Sequence, residues 1–432
     1  MIKILEIKSK KYQKKLEYYL NLRRKKSKFK TIAVRKIIED IRNNNDNSLI
    51  KYEKKFNKIK NINKKNLLFS NVEIKKNIKL LQPNVKKSID LAFKRILNFH
   101  KNQKFKSFKI RDKYKNTFSY RSKPIEKIGV YVPGGTASYP SSVLMNCIPA
   151  LVAGVKEIFM TVPSLGVRIN PGVLYAAKKC NVKKIYKVGG AQAIASLAFG
   201  TKTISKVDKI VGPGNEYVAI AKKEVFGDVG IDMIAGPSEV TIIADKYANP
   251  SWVAADLIAQ AEHDEMSQSI LVTDSRELVK KVKNSIYSQL KYLPKKKIVL
   301  KSFKKFGLAI IVNNSQSIAD ITNIISPEHL EIFTKKPEVH LKKIKNAGSI
   351  FLGSYSPEAV GDYLAGPNHV LPTSGTAKFS SGLSIYDFLK RQSVIKITKT
   401  GIERLGSSVI NLANYENLRG HANSVKIRIK KG

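Results

Sequence analysis

The chain has 432 residues, of which 43% are hydrophobic, and it contains two cysteines. Its length allows two or three domains with sizeable cores, whereas so few cysteines exclude a disulfide scaffold and favour a reducing compartment. No apolar run reaches the roughly 18 residues that a membrane-spanning helix requires, and the lysine-rich beginning lacks the apolar core of a secretory signal. We therefore expect a cytoplasmic protein without a membrane partner.

The formal net charge of +46 at pH 7 raises nucleic-acid binding as a second class of function, in which basic residues cluster on one face. Here the excess is mostly lysine, spread along the chain together with abundant isoleucine and asparagine, residue types with A/T-rich codons. No basic segment has interleaved aromatic residues, and no zinc-knuckle or helix-turn-helix pattern occurs. A coding bias expressed on solvated surfaces accounts better for the charge, so we expect no nucleic-acid partner.

Residues 8–60 place apolar side chains at helical spacing and predict N-terminal helices. From Ile125 onward, short apolar runs that end in glycine-rich turns alternate with helical patterns, as in "EKIGVYVPGG" followed by "SVLMNCIPALVAGV". This alternation predicts an α/β fold with parallel, doubly wound sheets. A second series begins at "AGPSEVTIIAD", which places a seam near residues 235–240, and the segment after "SVIKIT" predicts a helical and extended tail.

Three glycine-rich turns, "VPGG", "VGGAQ" and "VGPGNEY", each close an apolar strand and open a helix. Backbone N–H groups at a helix N-terminus bind phosphate well, and three such turns in one α/β unit favour a nucleotide. None has the full dinucleotide fingerprint, because the third glycine is missing after Gly212 and Gly214. A tight strand–helix turn without a ligand is the alternative for any one of them.

The segment "AQAEHDEMSQ" places Gln260 and His263 three positions apart on one face of a helix. Imidazole suits zinc, but the incomplete ligand set leaves a structural histidine as the alternative. Further along, Asp362 lies in "EAVGDYLAGPNHVLPTSGTAKF", and His421 follows Glu416 in "NYENLRGHANSV". His263, His421 and Asp362 would form a His₂–carboxylate set, which an amide oxygen such as that of Gln260 completes.

The dipeptide Glu328–His329 in "ISPEHLEIF" places a carboxylate beside an imidazole, and the two side chains are candidates for proton transfer. Only six histidines occur in the chain. A neutral imidazole near pH 7 suits a general base. The alternative is a solvated pair at a helix start after Ser326–Pro327, because proline is favoured early in a helix.

Four other side chains are assigned structural roles by their local patterns. Ser238 lacks the G-x-S-x-G elbow of a nucleophile, so a hydrogen-bonding or helix-capping role is expected. Cys147 lies on an apolar helix face and is expected to be buried and inert. His100 and His340 lie in lysine-rich amphipathic segments and are expected to be solvated.

Taken together, the motifs resemble the histidinol dehydrogenase family. Eight stretches carry the resemblance in order: "GVYVPGGTASYPSSVLMN", "VGGAQAIASLAFGT", "VGPGNEYV", "IDMIAGPSEV", "AQAEHD", "SPEHLEI", "GDYLAGPNHVLPT" and "ENLRGHANSV". The resemblance implies oxidation of L-histidinol to L-histidine through a retained aldehyde, with two NAD⁺ and one water, in the last two steps of histidine biosynthesis. It also implies a need for zinc and an intertwined homodimer with shared active sites.

The resemblance also implies roles for individual residues. Its zinc ligands correspond to Gln260, His263, Asp362 and, from the other subunit, His421. Its NAD contacts correspond to Tyr131, Gln192 and Asn215. Its substrate contacts correspond to Ser238, His329, Glu416 and the four zinc ligands. In the implied mechanism His329 removes the alcohol proton, Glu328 activates the water that hydrates the aldehyde, and His329 is again the base when the hydrate is oxidised.

The expected domain organisation follows from the same motifs. Two incomplete Rossmann-like, doubly wound units are expected, with a helical arm and a tail. The predicted bounds are an N-terminal helical arm over 1–25, an α/β domain with zinc and the catalytic residues over 26–130 and 239–380, a Rossmann-like NAD-binding domain over 131–238, and a tail over 381–432 that docks on the partner subunit.

Overall fold

In the computed structural model, the described residues are 2–7, 12–23, 28–57, 62–103, 105, 107–134, 139–164, 169–312 and 314–429. Gly135, in the predicted "VPGG" turn, lies outside them. The chain forms two compact units, one from Met1–Asn102 and Glu126–Asp387 and the other from Gln103–Ile125 and Phe388–Gly432. We refer to them as the large unit and the small unit.

The bounds of the secondary structure are as follows. The strands are β1 (Lys3–Glu6), β2 (Lys109–Arg111), β3 (Thr117–Pro124), β4 (Lys127–Tyr131), β5 (Glu157–Thr161), β6 (Lys184–Tyr186), β7 (Lys209–Val211), β8 (Gly230–Ile231), β9 (Glu239–Ala244), β10 (Gln268–Thr273), β11 (Leu308–Ile311), β12 (His329–Phe333), β13 (Ser349–Leu352) and β14 (Leu389–Lys396). The helices are α1 (Tyr12–Asn21), α2 (Lys28–Asn44), α3 (Asp46–Asn57), α4 (Asn71–Ile78), α5 (Pro83–Lys101), α6 (Pro140–Ala153), α7 (Pro171–Lys179), α8 (Gly190–Phe199), α9 (Glu216–Val225), α10 (Pro250–Ala261), α11 (Arg276–Gln289), α12 (Lys296–Phe306), α13 (Ser315–Ile325), α14 (Pro337–Leu341), α15 (Glu358–Tyr363), α16 (Lys399–Tyr415) and α17 (Arg419–Ile429).

The first sheet of the large unit has five parallel strands in the order β6-β5-β4-β7-β8. The chain moves outward from β4 to β6 and then returns to β7, so the order reverses between β4 and β7. Helices α2 and α3 share a core with this sheet, since Ile37 and Leu49 cluster with Ile194 of α8 and Val218 of α9. The reversal point, where ligands bind in open α/β sheets, is therefore backed by a continuous apolar core.

The second sheet has six parallel strands in the order β1-β11-β10-β9-β12-β13. Alternate residues of its strands enter two cores: Ile242 faces α10, α11 and α12, and Ile243 faces α1 and α13. Burial on both faces explains why "EVTIIA" and "SQSILVTD" are nearly continuous apolar runs. The order reverses again, here between β9 and β12.

The predicted α/β class with parallel sheets is confirmed by these two sheets and their many helices. One element of the arm was not predicted: Lys3–Glu6 form a strand at the edge of the second sheet, paired with β11. Four residues are too few to show a strand periodicity in the sequence. Their extended conformation depends on pairing with β11.

Three of the side-chain assignments made from local patterns can be compared with burial. Cys147 is buried, as expected. The prediction that His100 is solvated is wrong, because His100 is fully buried against Phe99, with ring centroids 5.4 Å apart. It lies on the same buried face of α5 as Ile89 and Ile96. Its position on that helix face, and not the lysines near it in the sequence, therefore determines its burial. His340 is half-buried.

The small unit contains an antiparallel sheet in the order β14-β3-β2, together with α16 and α17. Its second segment thus has the extended and helical elements expected of the tail. Among the described helices of the protein, none combines the length and the apolar character needed to cross a membrane.

Candidate active site

Glu328 precedes β12, an internal strand of the six-stranded sheet, and His329 is its first residue. Helix α13 ends at Ser326 in a left-handed conformation (φ 50°), and the chain then turns through Pro327 into β12, beside β9. Glu328 is 6% exposed and His329 is 4% exposed. The alternative of a solvated pair at a helix start is therefore wrong, because both residues sit where a buried strand begins.

The geometry around His329 leaves one ring nitrogen available. Its Nδ1 lies 3.1 Å from the carbonyl oxygen of Glu239, and an Nδ1–H donating to that oxygen leaves the lone pair on Nε2. Among the described residues Nε2 has no hydrogen-bond partner, and Asp362 Oδ1 is 3.8 Å away. Burial lowers the pKa of His329 to about 4. The imidazole is thus neutral at pH 7, with a buried acceptor nitrogen.

Glu328 is held by the backbone N–H of Glu239, the residue whose carbonyl oxygen contacts His329. Its Oε2 accepts a hydrogen bond from the Glu239 N–H at 2.8 Å and lies 3.8 Å from His329 Nδ1. Burial raises the pKa of Glu328 well above its usual range, the Glu239 carboxylate adds to the rise, and Arg23 opposes it. A carboxylate of raised pKa is a better general base than an ordinary one.

A group of possible metal ligands lies next to His329. The ligand atoms of His263, Glu358 and Asp362 are all within 4.8 Å of one another. Gln260 is fully buried at the end of α10, and hydrogen bonding at its amide requires the nitrogen to face Glu358, at 2.5 and 3.0 Å from the two oxygens. Three of the four predicted zinc ligands are therefore brought together, around a carboxylate that was not predicted.

Buried acids extend beneath this group. Glu331 lies two positions after His329 on the same face of β12, and its Oε1 accepts from the Glu358 N–H at 2.7 Å. Asp256, one helical turn before Gln260, pairs with Glu331, and its pKa is raised to about 6, mainly by burial. Burial raises the pKa of Glu331 and Glu358 as well. So much buried acid favours a bound cation.

The predicted NAD contacts lie in the first sheet, at the carboxyl ends of its strands. Tyr131 ends β4, and its hydroxyl accepts from the Gly190 N–H at 3.1 Å. Gln192, on α8, donates to the buried Glu53 Oε1 at 2.7 Å. Asn215 caps α9. The three predicted residues thus lie at or just after the carboxyl ends of β4, β6 and β7 in the same sheet.

The turn before Asn215 requires glycine at one position. Gly212 has φ 112°, and a Cβ there would lie 2.2 Å from the Tyr131 carbonyl oxygen. Its N–H donates to Asp232 at 2.8 Å, and its carbonyl accepts from the buried Lys222 at 3.0 Å. The turn is therefore held on both sides by side chains at the reversal point of the sheet.

Tyr139, the residue before α6, lies near two acidic residues of the metal-ligand segment. Tyr139, at the start of α6, lies near enough to Glu262 and Asp264 for both to raise its pKa, although burial is the larger cause. These two acids flank His263 in the chain. The N-terminal end of α6 therefore lies near the segment that carries His263.

The remaining predicted residues lie elsewhere in the chain. Ser238, half-buried, immediately precedes β9. Glu416 and His421 are exposed residues of the small unit, at the end of α16 and within α17. The predicted roles of all three residues stay predictions.

The comparisons with known proteins identify the family. The family model "Histidinol dehydrogenase" matches residues 21–429. The chain belongs to the histidinol dehydrogenase family. It is therefore an oxidoreductase. It is 53% identical over 432 residues to histidinol dehydrogenase from Pelagibacter ubique, covering 100% of both chains, and 52% identical over 344 residues to that from Clostridium acetobutylicum, covering 79% of this chain and 80% of the relative.

A solved member of the histidinol dehydrogenase family has the same fold. The crystal structure of histidinol dehydrogenase from Elizabethkingia anophelis superposes with a TM-score of 0.93 at 38% identity, over 99% of this chain and 98% of that one. The parallel sheets and helices described above are thus those of this family.

Sequence reasoning missed several buried acids of the site. Glu358 lies four positions before Asp362, a spacing that puts both on one helix face, so this signal was available. Asp256 has the same spacing from Gln260. Glu239 left no such signal, because its role depends on the pairing of β12 with β9. The strand spacing of Glu331 from His329 was a signal only once this segment was known to be a strand, and its bond to α15 depends on packing.

Proposed function

We propose that the protein catalyses the zinc-dependent, NAD-linked four-electron oxidation of L-histidinol to L-histidine through L-histidinal, in histidine biosynthesis. The observation that carries the proposal is the buried, neutral His329, whose Nε2 lone pair is unpartnered among the described residues and lies beside Asp362. A base that needs no prior deprotonation at pH 7 suits an alcohol oxidation.

In this proposal His329 Nε2 takes the hydroxyl proton of histidinol. The Nδ1 contact with the Glu239 carbonyl holds the ring in the required tautomer. When bound, NAD⁺ supplies the acceptor for the hydride that leaves the same carbon. Once Nε2 has released this proton to solvent and the aldehyde is hydrated, Nε2 takes the hydroxyl proton of the hydrate in the second oxidation, for which a second NAD⁺ would accept the hydride.

Glu328 is proposed to activate the water that hydrates the aldehyde. Its raised pKa makes the carboxylate a strong enough base for water, and Arg23 favours the deprotonated form that the role requires. Because Glu328 and His329 are adjacent, one carbon can be served by both in successive steps.

Zinc is proposed to be held by Gln260, His263, Asp362 and the partner subunit's His421. The fit rests on the donor chemistry, an imidazole and carboxylate oxygens within 4.8 Å of one another, and on the surplus of buried acid. When bound, zinc would hold the imidazole and amino nitrogens of the substrate. Gln260, His263, Asp362, Ser238 and His329, with Glu416 and His421 of the tail, form the proposed substrate site.

Elemental analysis tests the metal assignment. His263→Ala should lower zinc from about one per subunit to near zero, because a zinc site needs its full ligand set. His340→Ala, at a half-buried histidine elsewhere in the large unit, is the matched control and should keep its zinc. Equal zinc in wild type and His263→Ala would reject the site.

The cofactor part of the proposal places NAD against Tyr131, Gln192 and Asn215. The glycine turns at the carboxyl ends of β4, β6 and β7 support it, since helix N-termini bind pyrophosphate. The Rossmann-like description and the predicted domain bounds, including the arm over 1–25, belong to this proposal, as does a cytoplasmic location. Nucleic acid and membrane are no part of it.

An intertwined homodimer is proposed because Glu416 and His421 are exposed in their own unit. If His421 acts in the partner's site, His421→Ala and His329→Ala subunits can form a heterodimer with one intact site. Mixing the two inactive variants should then restore activity, up to about half that of wild type per heterodimer. Heterodimers without any recovery would rule out the shared site.

One assay tests the whole function. Purified protein should form NADH from L-histidinol, about two per substrate consumed, and a chelator should abolish the reaction until zinc is restored. Absence of NADH formation from histidinol by zinc-loaded protein would refute the proposal.

A further inference from the structure

Arg23 lies at the end of the N-terminal arm, in a lysine- and arginine-rich segment that suggests a solvated surface. Its side chain is instead only 2% exposed. Burying a guanidinium without partners is strongly unfavourable, so a buried arginine is expected to have a dense set of acceptors. The acceptors of Arg23 are more than 210 positions away in the chain, next to the candidate active site.

All three nitrogens of the guanidinium are used. Nη2 donates to the carbonyl oxygens of Pro237 and Ser238, at 2.6 and 3.3 Å. Nη1 donates to Glu239 Oε1 at 2.7 Å and Gln268 Oε1 at 3.3 Å. Nε donates to the Met266 carbonyl oxygen at 2.9 Å. The planar fork thus joins the segments that lead into β9 and β10.

The contacts of Arg23 continue to the catalytic pair. The same Glu239 that pairs with Arg23 donates its backbone N–H to Glu328 Oε2 at 2.8 Å and offers its carbonyl oxygen to His329 Nδ1 at 3.1 Å. Glu239 Oε1 also accepts from the Ser374 N–H at 2.8 Å. The position of the Glu239 backbone, and with it that of Glu328, therefore depends on the group that anchors Glu239.

We infer that Arg23 is a positioning residue of the active site, which fixes the Ser238–Glu239 segment and through it holds Glu328 in place for water activation. This inference rests on the proposed function of Glu328. Lysine cannot replace Arg23, because its ammonium offers one nitrogen where the planar guanidinium places three nitrogens against acceptors on both segments. The effect of a substitution should appear mainly in the step that uses Glu328.

The test compares single-turnover NADH formation from histidinol and from histidinal, with saturating substrate, in wild type and Arg23→Lys. Histidinal oxidation should fall about tenfold or more, since small displacements of catalytic groups cost up to about a hundredfold. Histidinol oxidation should change less than about twofold, because the bond from the Glu239 carbonyl to His329 also relies on the β9–β12 pairing. Zinc content should be unchanged, because the bonds of Arg23 include none to the proposed metal ligands.

Arg35→Lys is the matched control. Arg35 also lies near the N-terminus and pairs with a glutamate, Glu224, at 2.7 Å, but its side chain is 62% exposed. An exposed pair contributes little, so this variant should match wild type in both reactions. Arg23→Gln, which loses the charge as well, should show the same selective defect as Arg23→Lys or a larger one.

Other results would overturn either the inference about Arg23 or the proposed function. An Arg23→Lys protein with equal losses in both reactions, with reduced zinc or without a cooperative unfolding transition would make Arg23 a general structural residue and overturn the inference. An unchanged ratio of the two rates would do the same. If wild type oxidises neither substrate, the proposed function fails instead, so the two failures are distinguishable.

Discussion

The two sheets of the large unit carry their candidate ligand sites at opposite ends of their strands, the carboxyl ends (the carboxyl edge) in the first sheet and the amino ends (the amino edge) in the second. In the five-stranded sheet, Tyr131, Gln192 and Asn215 follow the carboxyl ends of strands, where ligands of open α/β sheets are generally bound. In the six-stranded sheet, Ser238 and Glu328 precede β9 and β12, and the loop with His263 precedes β10. The proposed chemistry is therefore at the amino ends of the strands.

The two sites differ in the chemical groups that the protein supplies, backbone N–H groups in the first sheet and side chains in the second. At the carboxyl edge of the first sheet, strands lead into helix N-termini and rigid glycine turns, so the backbone provides N–H groups for an anionic cofactor. At the amino edge of the second sheet, the helix α15 returns across the sheet and brings Asp362 to His329. There, side chains provide acids, bases and metal ligands. We expect substitutions at the amino edge to change rates of chemistry and those at the carboxyl edge to change cofactor affinity.

The largest effect is expected for His329→Asn. Asparagine can still donate to the Glu239 carbonyl oxygen but cannot accept a proton, so both oxidations should slow by about 10² to 10⁴-fold. Single-turnover NADH formation from histidinol and from histidinal measures the two steps. An unchanged rate of histidinol oxidation in this variant would show that His329 is not the base for that step.

Glu328→Gln should have a smaller and more selective effect. The amide keeps the hydrogen bond from the Glu239 N–H but cannot activate water, so histidinal oxidation should fall about 10²-fold while histidinol oxidation changes little. The same single-turnover pair of assays applies. Equal impairment with both substrates would show that Glu328 orients its neighbours instead of activating water.

The buried His329 also predicts a pH dependence of stability. Its folded pKa of about 4 lies below the value of about 6.5 in an unfolded chain. The unfolded state therefore binds more protons between these values, and stability is lost as pH falls through this window. Wild type should lose about 2 kcal/mol relative to His329→Asn between pH 7 and pH 5. Urea unfolding at both pH values measures this, and parallel curves for the two proteins would contradict the burial of a neutral imidazole.

The smallest effect is expected at the carboxyl edge. Asn215→Ser keeps a helix-capping oxygen for α9 but removes the amide, so KM for NAD should rise about tenfold with kcat within about twofold. Asn170→Ser is the matched control, since Asn170 is also the N-cap of a helix that follows a strand of this sheet, α7, and its side chain accepts from the Gly172 N–H. A large fall in kcat for Asn215→Ser would mean that the two edges do not divide binding and chemistry as proposed.

Local patterns predicted much of this molecule. Strands, glycine turns and helices from Ile125 onward follow the predicted order, because their periodicities and turn residues are set within about ten neighbouring positions. Gln260, His263 and Asp362 were also identified from local motifs, and the structure brings them together. The edge strand β1 and the burial of His100 were not predicted, since each depends on a partner element distant in the chain.

The amino-acid sequence alone specified the α/β class, the order of elements and the residue types suited to a metal, a cofactor and a base. Folding in three dimensions decided which of these side chains are buried, and burial sets the pKa values of Glu328 and His329. It also decided that Arg23, Glu239 and Glu331 support the site, because hydrogen bonds between elements that are distant in the chain leave no local pattern. Protonation state and positioning depend on the surrounding protein, and only packing supplies those surroundings.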